Sequence, residues 1–359
     1  MSDAVAAGSR PSARSARSLQ PATSLQPATS LPSAPSATSA PATPSAAARD
    51  RWIAPDARRK LQLALAALWL LDAVLQFQPL MFTRSFTDML AESAHQNPAV
   101  VAGPVSWSAR LIEAHLAPAN AVFAVIQLLL ALGIAWRPTV KLALSASIAW
   151  AVAVWWLGEG LGLVFTGAAS PADGAPGAAI IYALLAVLLW PAADRRAPFI
   201  AGRAIGVPAA RLLWLVLWGS LAYLALQPAV RAPQALSRGL SEAASSQPGW
   251  LAWIDSGAAA AIGSHGLVAS VVLAVALVIV AGGVFLAPRP ARAAIILAIV
   301  VAGAIWLAEG LGGIWSGMAT DPETGPLLAL VALAYWPAHP APRSARPAGL
   351  AERYAEGTA

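Results

Sequence analysis

Trp156-Leu157-Gly158-Glu159-Gly160-Leu161-Gly162 and Trp306-Leu307-Ala308-Glu309-Gly310-Leu311-Gly312 are one phrase written twice in a chain of 359 residues. Each copy puts a glutamate at the end of a long apolar run, where a charge is costly unless it has a partner or a task. The copies lie 150 residues apart, and the same spacing joins Glu92 to Glu242, Pro98 to Pro248, His115 to His265, Pro138 to Pro288 and Gly167 to Gly317. Towards the edges the register drifts, to 149 for Trp69 with Trp218 and Gln78-Pro79 with Gln227-Pro228, and to 146 for Trp190-Pro191 with Trp336-Pro337. Insertions and deletions in loops leave drift of this kind. A biased composition gives chance Ala and Leu matches, but not Trp, Pro, His and Glu in one register. Residues 60–192 and 209–338 therefore read as two copies of one unit.

Composition fixes the solvent. Hydrophobic residues make up 58% of the chain and charged ones 11%, with a mean hydropathy of +0.64, outside the balance of a soluble domain. Crossing a bilayer core takes roughly 20 helical residues. The apolar runs place helices at 61–79, 118–136, 139–158 and 177–192 in the first unit, and at 209–227, 266–287, 291–308 and 324–338 in the second. These Ala/Leu/Val/Ile runs lack the alternation of a membrane barrel. The expected fold is all-α, a polytopic membrane protein of eight transmembrane helices in two four-helix repeats.

Arg and Lys set the orientation. Arg58, Arg59 and Lys60 precede the first helix, Arg137 and Lys141 flank the turn between the second and third, and Arg195, Arg196, Arg203 and Arg211 fill the junction between units. Arg289 and Arg292 occupy the matching turn of the second unit, and Arg343, Arg346 and Arg353 follow the last helix. In an eight-helix topology these segments share one side, which predicts a cell-membrane protein with both termini cytoplasmic. An even number of helices per unit makes the copies parallel, with a pseudo-twofold axis along the membrane normal. The net charge of +6 is then a topology signal, and no basic groove with interleaved aromatics points to nucleic acid.

Residues 1–50, rich in Ser, Ala, Pro and Thr and carrying Ser18–Thr23 again as Ser24–Thr29, are expected to be a disordered cytoplasmic tail, because they offer too little apolar surface to offset ordering entropy. Residues 339–359 form a second tail. The absence of cysteine removes disulfides, thiolate metal sites and cysteine nucleophiles. His115 and His265 correspond across the repeat but have no ligand-like neighbours, so no metal is expected. No phosphate loop or nucleophile motif supports an enzyme.

The chemistry centres on the glutamates. Glu159 and Glu309 end helices whose dipoles oppose a negative charge there by a few tenths to about 1 kcal/mol, so Arg84 and Arg231, beyond the repeated Gln-Pro, are the candidate counter-ions. A structural lock between helix end and outer loop is the competing reading of both glutamates. The long outer loops, 80–117 and 229–265, read as short interfacial helices over the bundle mouth, among them 82–90 and 107–114. Asp72 and Gln76 in the first helix and Gln127 in the second meet apolar Leu221, Ala225 and Leu277 at the matching places of the second unit. With seven residues from Asp72 to a helix end at Pro79, Asp72 is expected about 10 Å below that end. A carboxylate within a span points to function, so the candidate site is Asp72, Gln76, Gln127 and Glu159, with Glu309 as the repeat partner. Tryptophans such as Trp69, Trp156, Trp190, Trp306 and Trp336 read as interface anchors.

The phrases Trp155–Gly167 and Trp306–Gly317, each followed by a short span ending in Trp-Pro, resemble those of uncharacterised bacterial integral membrane proteins built of one or two four-helix units. The four-helix unit with a long outer loop is also loosely similar, in topology, to the DoxX/DoxD-like family, some of whose members assist quinone-linked oxidation. The residues themselves predict no cofactor; the resemblance adds quinone as a candidate cofactor and a membrane redox partner as an alternative to a second copy of the chain, with the lipid bilayer as partner in either case. Two functions follow. One is binding or transport of a small cation, proton or polar solute from the outer face. The other is a quinone-linked accessory subunit with Trp155, Trp156 and Trp306 lining an apolar slot. A membrane scaffold is the third.

Overall fold

The computed structural model describes residues 57–95, 97–192, 197–315, 317 and 319–337. The two expected tails lie outside these residues. Among the described residues the chain is helical and contains no strand. The helices, in order, are α1 (Ala57–Leu75), α2 (Arg84–His95), α3 (Ala99–Ala114), α4 (Leu116–Ala135), α5 (Val140–Leu157) and α6 (Ala178–Leu188). After the short α7 (Ile200–Ile205) the second half runs through α8 (Val207–Ala225), α9 (Ala235–Ser245), α10 (Gly249–Ile262), α11 (Gly266–Gly283), α12 (Pro288–Ala308) and α13 (Thr324–Ala334).

Among the described residues five helical segments are long and apolar enough to cross a membrane: Leu116–Ala135, Arg137–Leu157, Val207–Ala225, Gly266–Gly283 and Pro288–Ala308. Helix α1 has the length, but Arg58, Arg59, Lys60 and Asp72 interrupt its apolar character. Helices α6 and α13 have 11 residues each, roughly 16 Å at 1.5 Å per residue, about half of a hydrocarbon core of about 30 Å. The apolar runs 177–192 and 324–338 overstate these two helices. The backbone leaves helical geometry at Leu189 and Tyr335, just ahead of Pro191 and Pro337, as a coming proline dictates.

The basic start of α1 is tied into the bundle. Arg59 donates to the carbonyl of Ile134 (2.8 Å) and Gln62 to that of Leu189 (2.9 Å), so polar side chains satisfy carbonyls that the C-terminal ends of α4 and α6 leave free. Helix α1 packs on α4, α5 on both α4 and α6, and α6 meets α13 between the halves. In the second half α8, α11, α12 and α13 repeat that order of neighbours. One continuous apolar core links all of these. Rows of exposed aliphatic residues, such as Val122, Val125, Leu129 and Leu132 on α4 and Val268, Val272, Val275 and Ile279 on α11, give the outside of the bundle the character of a surface facing lipid.

Beyond α5 the chain enters the decisive turn. Gly160, Leu161, Gly162 and Leu163 all have φ between 53° and 62°, and Gly310, Leu311, Gly312 and Gly313 between 53° and 71°. Four consecutive left-handed residues make one turn of left-handed helix, which L-residues avoid at about 1–2 kcal/mol each. Alternating glycine carries half of the strain or more, and Gly313 in place of Leu163 relieves one further position in the second turn. At Gly162 a Cβ would also collide with the carbonyl oxygen of Pro176. Gly162→Ala is therefore expected to destabilise the protein by more than about 2 kcal/mol, while Gly167→Ala, with φ +74° but open space around it, carries only the backbone cost of about 1 kcal/mol. Thermal unfolding of the two variants in detergent measures the difference, and equal losses would refute the close approach.

Candidate functional site

The left-handed turn aims the preceding glutamate at the start of the half-length helix. Glu159 Oε1 accepts from the backbone N–H of Ala179 at 2.9 Å. Glu309 accepts from the backbone N–H of Gly325 at 3.3 Å and from the hydroxyl of Thr324. Each carboxylate thus caps the N-terminus of α6 or α13, where orphan N–H groups and the positive end of the helix dipole favour an anion. The expected counter-ions are a correction: Arg84 pairs with Glu113 at 3.7 Å on the surface, and Arg231 is exposed, with no ion pair to either glutamate among the described residues. A helix N-terminus has taken the place of the arginine.

The outer-loop helices were legible at 82–90 and 107–114, and they extend to α2 and α3. They are pinned to the same turn. Asn97 donates to the carbonyls of Ser93 (2.8 Å) and Gly160 (3.1 Å), and Ser108 donates to that of Leu157 (2.6 Å). Under this lid lies a cavity of about 550 Å³. All four candidate residues of the first half line it: Asp72, Gln76, Gln127 and Glu159. Asp72 is 1% exposed, Gln76 5% and Gln127 7%. The carbonyl oxygens of both glutamines and Glu159 Oε2 have no hydrogen-bond partner among the described residues. Glu309 lies outside this cavity.

Asp72 sits higher than expected. Helix α1 stops at Leu75, one turn beyond it, so Asp72 caps the cavity end of its helix instead of lying about 10 Å below one. Its carboxylate accepts from the hydroxyl of Tyr182 on α6 at 2.9 Å, and Tyr182 stacks on Trp69 with ring centroids 4.1 Å apart. Trp69 is a correction to the anchor reading: it is buried, donates to Ser147 Oγ at 3.1 Å and forms cavity wall. Trp155, Trp156 and Trp306 do not line the cavity, whereas Trp69, Trp107 and Trp150 do. Trp155 instead donates to the carbonyl of Pro176 at 2.7 Å.

Among the wall residues that the sequence reading missed are Tyr182, Thr320 and Asp321. Tyr182 carried a usable signal, since its place in the last helix of the second unit, at the spacing of 146, is Leu328. Thr320 and Asp321 carried none, because they reach the first-half cavity from the second half of the chain. The Asp321 carboxylate is held by the backbone N–H of Glu323 (2.7 Å) and the hydroxyl of Thr320 (3.0 Å). At the places of Asp72, Gln127 and Tyr182 the second half has Leu221, Leu277 and Leu328, each fully buried, beside a packed cluster of Trp214, Trp218 and Tyr335. Where the first half is hollow and polar, the second places these buried leucines.

The carboxyls around the turn lie outside the spanning segments. Burial, with the charge of Asp321 second, pushes Glu159 up to about 8, against the hydrogen bond from Ala179. Burial likewise pushes Glu309 up to about 8, against its bonds from Thr324 and Gly325, with Asp321 adding to the rise. Burial also raises Asp321, and Glu323 is held well above its usual range by burial and the charges of Asp321, Glu309 and Glu159. Among the described residues no group of three or more His, Asp or Glu is placed to hold a metal ion. No family model, curated protein or solved structure matches the chain.

A carboxyl with a raised value keeps its proton in the folded protein at pH values where the unfolded chain has lost it, so its stabilisation is complete below about 4.5 and is lost as pH rises to about 8. The unfolding temperature is expected to fall across that window, and Glu159→Gln with Glu309→Gln to flatten the fall. Asp321→Asn should move the titration of both glutamates downward, as seen by carboxyl infrared bands. An unfolding temperature that climbs with pH across the window would contradict the assignment.

Proposed function

We propose that the chain is an integral membrane protein of two parallel four-helix copies, with both termini cytoplasmic, that binds or transports a small cation, proton or polar solute entering from the outer face. On this reading α1, α6 and α13 complete the set of eight spans, α6 and α13 as half-length members whose N-termini are capped by a glutamate. Short segments at matching places in two copies are a recurrent setting for binding sites in transporter folds. The observation that carries the reading is that Asp72, Gln76, Gln127 and Glu159, drawn from three different helix ends and faces, line one cavity. The second copy is then the stabilising half, in which leucine has replaced the polar groups. The lid helices α2 and α3 form the outer boundary of the site, with Trp107 at once exposed and part of the cavity wall.

A quinone-linked accessory role is the second reading, favoured by the aromatic pairs Trp69–Tyr182 and Phe123–Trp150, which form two sides of the cavity. It requires quinone in a lipid extract of the purified protein. The transport reading makes a different demand. In proteoliposomes enclosing a pH-sensitive dye, an imposed proton gradient should change the internal pH through the wild-type chain. Asp72→Asn should abolish that change, and Asp88→Asn, at an exposed lid position, should leave it intact. A wild-type signal undiminished in Asp72→Asn would remove Asp72 from the path.

A further inference from the structure

We propose, resting on the reading of this cavity as a solute site, that its ligand is an amphiphilic organic cation: an ammonium group on an aromatic or branched alkyl body. Three features of the wall select that class. The first is sign. Asp72, Glu159 and Asp321 reach the wall, and among its described lining residues there is no Arg, Lys or His. The second is hydrogen-bonding direction. Gln76 Oε1, Gln127 Oε1 and Glu159 Oε2 are acceptors without partners among the described residues, against one unpartnered donor of the wall, Trp150 Nε1, and the Tyr182 hydroxyl is already committed to Asp72. Buried acceptors left unpaired are costly, so the complementary ligand is a donor, and an ammonium carries up to three N–H groups and no acceptor. The third is the body of the cavity. Trp69, Trp150, Phe123 and Tyr182 line the same cavity as the carboxylates, which suits a cation lying over aromatic rings with an apolar remainder.

The alternatives fit less well. A volume of about 550 Å³ is within the range of pockets for drug-sized molecules, and a bare metal ion would leave most of an apolar wall without a partner. A quinone ring offers only acceptors, and of the unpartnered wall atoms three accept and only Trp150 Nε1 donates. An anion would meet three carboxylates.

Three isosteric probes decide the matter: 1-naphthylmethylamine, 1-naphthylmethanol and 1-naphthoate, titrated against the full-length chain in lipid nanodiscs near neutral pH, with tryptophan quenching as the readout. The amine is expected to bind at least about tenfold tighter than the alcohol, the size of one charge-assisted hydrogen bond, and the carboxylate weakest. Asp72→Asn should reduce the amine to the affinity of the alcohol, and Gln127→Leu should weaken the amine by a smaller factor. Ala153→Phe, which fills the cavity from α5, should abolish binding of both while the unfolding curve stays cooperative. An alcohol as tight as the amine, a preference for naphthoate, or no naphthyl binding at all overturns the inference. If a proton signal in vesicles still depends on Asp72 after such a result, the solute-site reading stands without its organic cation; loss of both removes the two together.

Discussion

A helix that begins inside an apolar bundle exposes N–H groups that no water can satisfy, and a glutamate swung back from the preceding helix meets them here. The bond from Ala179 to Glu159, and those from Thr324 and Gly325 to Glu309, decide much else. The chain must reverse immediately after α5 and α12 to bring the carboxylate onto a helix that starts about 15 to 20 residues later, and the left-handed Gly-Leu-Gly turn is the reversal. The lid is fastened to that turn through Asn97, and the cavity lies between lid and helix end. The helix N–H groups supply what an arginine would otherwise have to, so the cap needs no cation.

The all-helical, membrane-like character was legible because it is governed by patterns that sequence displays: apolar run length, and Gln-Pro and Trp-Pro punctuation. The helices fall where the runs lie, displaced by a few residues. What failed were inferences about range and partner. Apolar length alone does not distinguish a span from a half-helix followed by buried irregular chain, so 177–192 reads longer than Ala178–Leu188. Placing Asp72 depended on where α1 ends, which the Gln-Pro pair suggested was Pro79 and the backbone set at Leu75.

The candidate site was legible from contrast. Asp72, Gln76 and Gln127 stood out because their counterparts are Leu221, Ala225 and Leu277, and the structure gathers them with Glu159 around one space. Tyr182 was discoverable by the same subtraction. Asp321 was not, since nothing in its own surroundings announces that it faces the other half of the chain. Its role arises from packing between the halves, where α6 meets α13, and that contact carries no periodic signature. A site assembled across two similar halves is thus open to divergence on one side only: filling the second-half space with leucine leaves Asp321 free to serve the first.

The left-handed turn also bears on which changes the gene can tolerate. Every single-base change in a glycine codon that alters the amino acid introduces a Cβ, and at Gly162 that atom would fall on the Pro176 carbonyl. The leucines between the glycines already hold positive φ, so a β-branched neighbour reached from them would add crowding to strain. The segment therefore has no easy adjacent sequence: it is isolated in mutational space, and drift that reshapes the lid or the lipid-facing helices has to pass around it.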